Sequence, residues 1–287
     1  MTRREALRAA GSFAGIAGTA IAGLPIVAAR QHVRVGMMDV LLGYASNPEA
    51  FAVAEQIGFD GIQVTLGKPV GPDRLVMSDA NLQQQILQSA RRHRVAITST
   101  YLDVMHRDCL QSNELAKTWV REGVRITKLL NGGMVELAFF FKCGLNNSGD
   151  IDGLVRALRE LAPAAEQEHI VLGVENTLSA DENIRLLDRV GSDAVKIWYD
   201  IGNSTNMGHF DVPREIRQLG AQRICQIHVK DKGYLGSGDV NVKGCLEAAR
   251  DIGYRGWFVF ETSAPTGDRV ADAAKNLEIF RRIEAAV

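Results

Sequence analysis

The sequence predicts a (β/α)8 TIM barrel. Three observations carry that prediction. Beyond residue 30, strand-like and helix-like runs alternate eight times, the pattern of parallel βαβ units. Several strand runs are apolar almost throughout, as strands covered on both faces must be. No Gly-x-Gly-x-x-Gly follows the first strand, which argues against a doubly wound open sheet.

The elements follow in order. Val33 to Met38 reads as the first strand, and Pro48 to Ile57 as a helix with Asn47 before it and Gly58 closing it. Proline at the first helical position and glycine just past the end are the expected asymmetry. Gly61 to Thr65 is the second strand and Asp79 to His93 its helix. Val95 to Ser99 and Asn113 to Leu130 form the third pair, Gly133 to Leu137 and Ile151 to His169 the fourth. Val171 to Glu175 precedes a helix over Ala180 to Val190. Val195 to Asp200 precedes a short helix over Pro213 to Leu219. Ile224 to Val229 leads to Val242 to Ile252, and Trp257 to Glu261 leads to the last helix, Ala271 to Ala286. The longest irregular stretch, Phe139 to Asp150, follows the fourth strand. It holds three consecutive phenylalanines and is expected on the catalytic face as part of a substrate lid.

The 287 residues suit one signal segment, 1–29, and one barrel domain, 30–287, since such barrels run to about 250 residues. Arg3 and Arg4 precede an uncharged, Ala- and Gly-rich stretch that ends in Val27-Ala28-Ala29. A charged start, an apolar middle and small residues at the end describe an export signal. The arginine pair resembles the twin-arginine (Tat) type. The mature protein is therefore expected outside the cytoplasm, as in a periplasm, with an uncleaved membrane anchor as the alternative. No later run is apolar over the ~20 residues of a membrane span, so no membrane association is expected after signal removal. The formal net charge of -1 offers no attraction to nucleic acid. Four cysteines, Cys109, Cys143, Cys225 and Cys245, form no Cys-x-x-Cys pair. Their even number permits disulfides in an exported chain, while Cys225 sits in an apolar strand and reads as core.

The position of the polar residues is the functional signal. Glu175, Asp200, His228 and Glu261 lie at or near the C-terminal ends of strands five to eight. In a barrel those ends adjoin around the mouth where active sites are built. Each residue alone has an ordinary reading: a loop acid, a turn residue before Gly202, a core histidine. Four at equivalent places on consecutive strands do not. Three carboxylates in one pocket repel, and a divalent cation removes that cost. Three oxygen ligands and one imidazole suit Mn2+ above all, with Mg2+, Co2+ or Zn2+ as alternatives.

Val174-Glu175-Asn176-Thr177, Tyr199-Asp200-Ile201-Gly202-Asn203, Ile227-His228-Val229-Lys230-Asp231 and Phe260-Glu261 together resemble the xylose-isomerase-like TIM-barrel superfamily of sugar isomerases and epimerases. The resemblance implies one metal ion held by Glu175, Asp200, His228 and Glu261, with the two glutamates also acting as the acid–base pair. The expected reaction is proton transfer next to a ketose carbonyl through a metal-stabilised enediolate, giving an epimer or an isomer. The substrate is a sugar or keto-sugar, and a homodimer is compatible with the fold. The competing chemistry is elimination from a 3-keto-glycoside at the same metal, and a third class is a sugar-binding barrel without catalysis. Glu136, His106, Asn203, Lys230 and Asp231 are the substrate-binding candidates, with a loop-framing salt bridge as the other reading of Lys230 and Asp231. Asn176 is expected to orient Glu175. Ketose 3-epimerases of the superfamily carry histidine three residues after the strand-six aspartate, where this chain has Asn203. Six histidines, with Asn203 in place of a ligand, do not furnish the trinuclear zinc site of the related endonucleases.

Overall fold

The computed structural model describes residues 32–209 and 211–287. The export-signal reading of residues 1–29 lies outside them. Eight parallel strands follow one another around a closed barrel, with β1 hydrogen-bonded to β8. In chain order the elements are β1 (Val35–Met38), α1 (Asp39–Leu42), α2 (Glu49–Ile57), β2 (Gly61–Thr65), α3 (Ala80–His93), β3 (Ala96–Tyr101) and α4 (Glu114–Leu129). Then come β4 (Met134–Ala138), α5 (Ser148–Glu168), β5 (Val171–Glu175), α6 (Ala180–Val190), β6 (Val195–Asp200), α7 (Ile201–Asn206) and α8 (Val212–Leu219). β7 (Ile224–Val229), α9 (Val242–Asp251), β8 (Trp257–Phe260) and α10 (Arg269–Ala285) complete the chain. The (β/α)8 class expected from the alternation is the fold observed.

Local chemistry sets most helix starts. Asp79 Oδ1 accepts from the Leu82 amide before α3, and Asn113 Oδ1 from the Leu115 amide before α4. Ser179 and Glu182 form a reciprocal capping box on α6, which satisfies amides that have no partner inside the helix. Gly58 closes α2 at φ 101°, a conformation that costs glycine nothing.

The structure departs from the sequence reading where tertiary contacts outweigh local pattern. β3 extends through Thr100 and Tyr101 because both pair with β4, Tyr101 opposite Glu136. α5 starts at Ser148, earlier than apolar spacing predicts, because Asn147 caps it by accepting from the Asp150 amide. Two short helices that the alternation does not predict, α1 and α7, grow directly from strand ends. α7 starts on Asp200 itself, whose Oδ1 accepts from the Asn203 amide at 2.7 Å. The barrel interior is also more polar than its strands suggest, with Gln63, Ser99, Thr100, Glu136, Gln226 and His228 all buried. Among the described residues, no helix is long and apolar enough to cross a membrane.

Two of the four cysteines are joined. Cys109, after β3, and Cys143, after β4, form a disulfide, while Cys225 and Cys245 are buried thiols. The bridge ties together two loops at the C-terminal end of the strands.

Candidate metal centre

Parallel register gathers the four predicted ligands. Asp200 and His228 are direct partners across β6 and β7. Glu175 ends β5, and Glu261 follows β8 with its amide donating to Val229 O of β7. One ligand atom from each of Glu175, Asp200, His228 and Glu261 lies within 4.8 Å of all the others. His228 Nδ1 is 3.2 Å from Glu261 Oε2, 3.5 Å from Glu175 Oε1 and 3.9 Å from Asp200 Oδ2.

The unpaired atoms test whether a cation fits. His228 Nδ1 is buried and makes no hydrogen bond of proper geometry. On its other side, Nε2 faces Gln63 Oε1 at 3.0 Å. Gln63 Nε2 donates to Glu136 Oε2 at 2.5 Å, which orients the amide so that its oxygen faces the imidazole. Nε2 therefore carries the proton in the neutral ring, and Nδ1 presents a lone pair to three carboxylates. A lone pair surrounded by carboxylates is unfavourable unless a cation or a proton lies between them. The hydrogen bond on the far nitrogen is the usual device that fixes a metal-ligating histidine. Trp198 packs edge-on against the ring, centroids 5.2 Å apart, and Gly173 leaves the space that Trp198 fills.

Charge gives a second test. Burial first, then the charge of Glu175, pushes the carboxyl of Glu136 well above the usual range. Burial also raises the carboxyl of Asp200, against the lowering effect of Lys230, and the three carboxylates of Glu175, Asp200 and Glu261 face one ammonium. Lys230 Nζ donates to Glu261 Oε2 at 2.7 Å and lies 2.8 Å from Asp200 Oδ2, outside hydrogen-bonding geometry with the latter. Burial opposes the Lys230 charge, but Asp200, Glu261 and Glu175 hold its pKa above the ordinary value. With the three carboxylates ionised as ligands, three negative charges less one positive leave two, which one divalent cation would balance with His228 neutral. In its absence a proton substitutes: burial disfavours imidazolium, yet Glu136 and Glu175 outweigh it and raise His228 well above its ordinary pKa. Burial likewise works against ionised Glu261, but His228 and Lys230 keep its pKa below the usual range.

The other sequence-predicted residues take distinct places. Glu136 lies beside the cluster, 3.8 Å from His228 Nε2. Asn203 Nδ2 donates to Glu175 Oε1 at 3.3 Å while its backbone N–H donates to Asp200 Oδ1, so one residue orients two ligands. Asn176 does not do so: it donates to Asn183 Oδ1 and accepts from the Leu178 amide, because its side chain turns into the start of α6. Lys230 joins the cluster, and Gly202 leaves room for it, since a Cβ there would collide with Lys230 Cγ. Asp231 turns back on its own loop and accepts from the amides of Lys232, Gly236 and Gly238. His106 is outside the cluster, with Nε2 2.8 Å from the Tyr101 hydroxyl. Gln63 is the residue that sequence reading missed. A glutamine in mid-strand carries no motif, and only barrel closure brings it to His228.

Comparison with known proteins now has a geometry to meet. The xylose isomerase-like TIM barrel family model matches residues 51–283. The chain belongs to that family. A D-psicose 3-epimerase of Enterocloster bolteae is 30% identical over 160 residues, 51% of this chain and 52% of that protein. The match thus spans about half the length of this curated relative. The fold is shared with a D-allulose 3-epimerase from Methylomonas sp., TM-score 0.70 at 19% identity, covering 88% of this chain and 98% of that one. It is shared too with a 3-keto-D-glucoside 4-epimerase from E. coli, TM-score 0.69 at 14% identity, covering 88% and 100%. The family's named sugar epimerases are therefore what this chain is similar to.

Proposed function

We propose that this barrel is a divalent-metal-dependent sugar epimerase or isomerase that moves a proton at the carbon beside a ketose carbonyl. The observation that carries the reading is the buried, unpaired Nδ1 of His228 facing Glu175, Asp200 and Glu261. The similarity to sugar epimerases supports it.

Those four residues would hold the ion, and Mn2+ fits a set of three carboxylates and one imidazole. What a bound divalent cation supplies is Lewis acidity toward a carbonyl and a neighbouring hydroxyl oxygen. The protein residues divide the remaining work unequally. Asp200 is fully buried and its Oδ1 is committed to the first turn of α7, so it serves as a ligand only. His228, fixed by Gln63, is a ligand too. Glu175 is buried and steadied by Asn203, which positions a carboxylate for abstraction from a desolvated C–H. The Glu261 side chain is 28% exposed and hydrogen-bonded to Lys230, so it is the one that can exchange its proton with water. Proton removal by one glutamate and return by the other gives an epimer; return by the same group to the adjacent carbon gives an isomer. Glu136, beside the cluster at 3.8 Å from His228 Nε2, can hydrogen-bond a substrate hydroxyl.

Export is proposed with this function. The Arg3-Arg4 start supports it, as does the Cys109–Cys143 bridge, since disulfides persist in oxidising compartments. The test of function is product analysis. Mn2+-loaded protein incubated with a panel of ketoses and 3-keto-glucosides should yield a diastereomer or an aldose–ketose isomer, read by NMR. An unsaturated keto-sugar would assign elimination instead, and no turnover of any substrate would defeat the enzyme reading.

A further inference from the structure

A second group of polar and aromatic residues extends outward from the metal centre and has no role in holding it. It begins at Tyr101, whose strand position opposite Glu136 directs it toward the barrel mouth. The Tyr101 hydroxyl meets His106 Nε2 at 2.8 Å, and their rings are 6.2 Å apart. His106 in turn lies 6.2 Å from the Phe140 ring and 5.9 Å from that of Phe141. The sequence of rings thus leads from the carboxylate cluster to a phenylalanine that is 86% exposed.

Three features of this ribbon are costly unless a ligand uses them. His106 Nδ1 and Asp103 Oδ1, both on the turn Asp103–His106, are buried without hydrogen-bond partners, and buried polar groups are normally paired. Phe141 has φ 52°, rare for a bulky residue and typical of ligand-contacting segments. Such strain persists only where the surroundings over-determine it. Here the Cys109–Cys143 bridge and the Gln111 side chain, donating to Cys143 O at 2.9 Å, fasten the Phe141 turn to the His106 loop.

The missing partner can be specified chemically. His106 Nδ1 is a donor or an acceptor according to its tautomer, whereas Asp103 Oδ1 is an acceptor. A sugar hydroxyl donates and accepts, so it satisfies either state of the histidine as well as the carboxylate. The exposed face of Phe141 offers a flat apolar surface to the C–H face of a pyranose. Aromatic walls with a few fixed polar groups are the usual composition of a small-ligand site.

We propose that Tyr101, Asp103, His106 and Phe141 form a subsite for a second sugar ring, so that the substrate class is a glycosylated ketose or keto-sugar rather than a free monosaccharide. This rests on the sugar-acting reading of the metal centre and adds what lies attached to the reacting sugar.

The experiment is calorimetric titration of the Mn2+-loaded full chain with D-fructose and with turanose, a glucosyl-fructose, each repeated after EDTA. The wild type should bind the disaccharide about ten-fold more tightly. Phe141→Ala, which removes no buried packing, and His106→Phe, which keeps a ring but not its polar atoms, should each reduce that ratio to under two-fold. A wild-type ratio near one, no binding of turanose, or a ratio retained in both variants would overturn the subsite. Failure of the metal reading looks different, because both sugars would then bind equally well before and after EDTA.

Discussion

Replacing Gln63 by methionine keeps its length and volume and removes both of its side-chain hydrogen bonds. Gln63 touches no carboxylate of the ligand cluster; it acts only through His228 Nε2 at 3.0 Å and Glu136 Oε2 at 2.5 Å. Leaving two buried polar groups without partners costs about 1–3 kcal/mol each, so the metal-free fold should lose about 2–6 kcal/mol. The effect on the metal is separate. Without an acceptor on its far side, the ring is free to place its proton on Nδ1, the atom needed for ligation. Loss of such a supporting bond weakens metal binding by about 10–100-fold, or roughly 1.4–2.7 kcal/mol at 1.36 kcal/mol per decade. Calorimetric titration with Mn2+ measures the dissociation constant, and thermal melts of the metal-free protein measure the fold. A variant that melts lower yet binds Mn2+ within two-fold of wild type would refute the claim that Gln63 sets the histidine's tautomer.

Three further predictions test the charge balance and the loop clamp. Lys230→Met leaves Asp200 and Glu261 facing each other without the ammonium. Uncompensated buried charge costs about 3 kcal/mol, so the metal-free Tm should fall by roughly 6–12 °C at about 2–4 °C per kcal/mol, and added Mn2+ should recover more of it than in wild type. Metal uptake near neutral pH should release a proton, because His228 is held protonated by Glu136 and Glu175 against the effect of burial and must lose that proton to ligate. Titrations in buffers of different ionisation enthalpy would detect it, and affinity should rise with pH; an affinity that falls as pH rises would contradict the assignment. The Cys109→Ser, Cys143→Ser double variant opens a link across 34 positions, worth about 4 kcal/mol by loop-closure entropy. It should unfold at lower denaturant while retaining its Mn2+ affinity, because neither cysteine belongs to the ligand set.

The ligand set was legible because of a rule of the fold. Parallel strands bring their C-terminal ends together, so polar residues after apolar runs at Glu175, Asp200, His228 and Glu261 had to converge once the barrel closed. The residues that support them were not legible for equally physical reasons. Gln63 reads as one face of an alternating strand, and its partners are 73 and 165 positions away. Asn203 read as a substrate contact, yet the unforeseen turn of helix after Asp200 faces it to Glu175. Gly202 resembled a turn glycine, whereas its need is the passage of Lys230. The Cys109–Cys143 pairing depends on where two irregular loops lie, and no periodicity describes loops. Helix boundaries shifted where capping side chains such as Asn147 outweighed apolar spacing.

The central claim is that this four-residue centre, charged with one divalent ion, moves a proton at the carbon next to a carbonyl. Solvent deuterium incorporation tests it most directly. With Mn2+-loaded protein in D2O and a ketose or keto-glucoside that it binds, NMR should reveal deuterium at that carbon. The signal should disappear with EDTA and in Glu175→Gln and Glu261→Gln. Absence of exchange with every bound sugar, or exchange that persists in both variants, would contradict it.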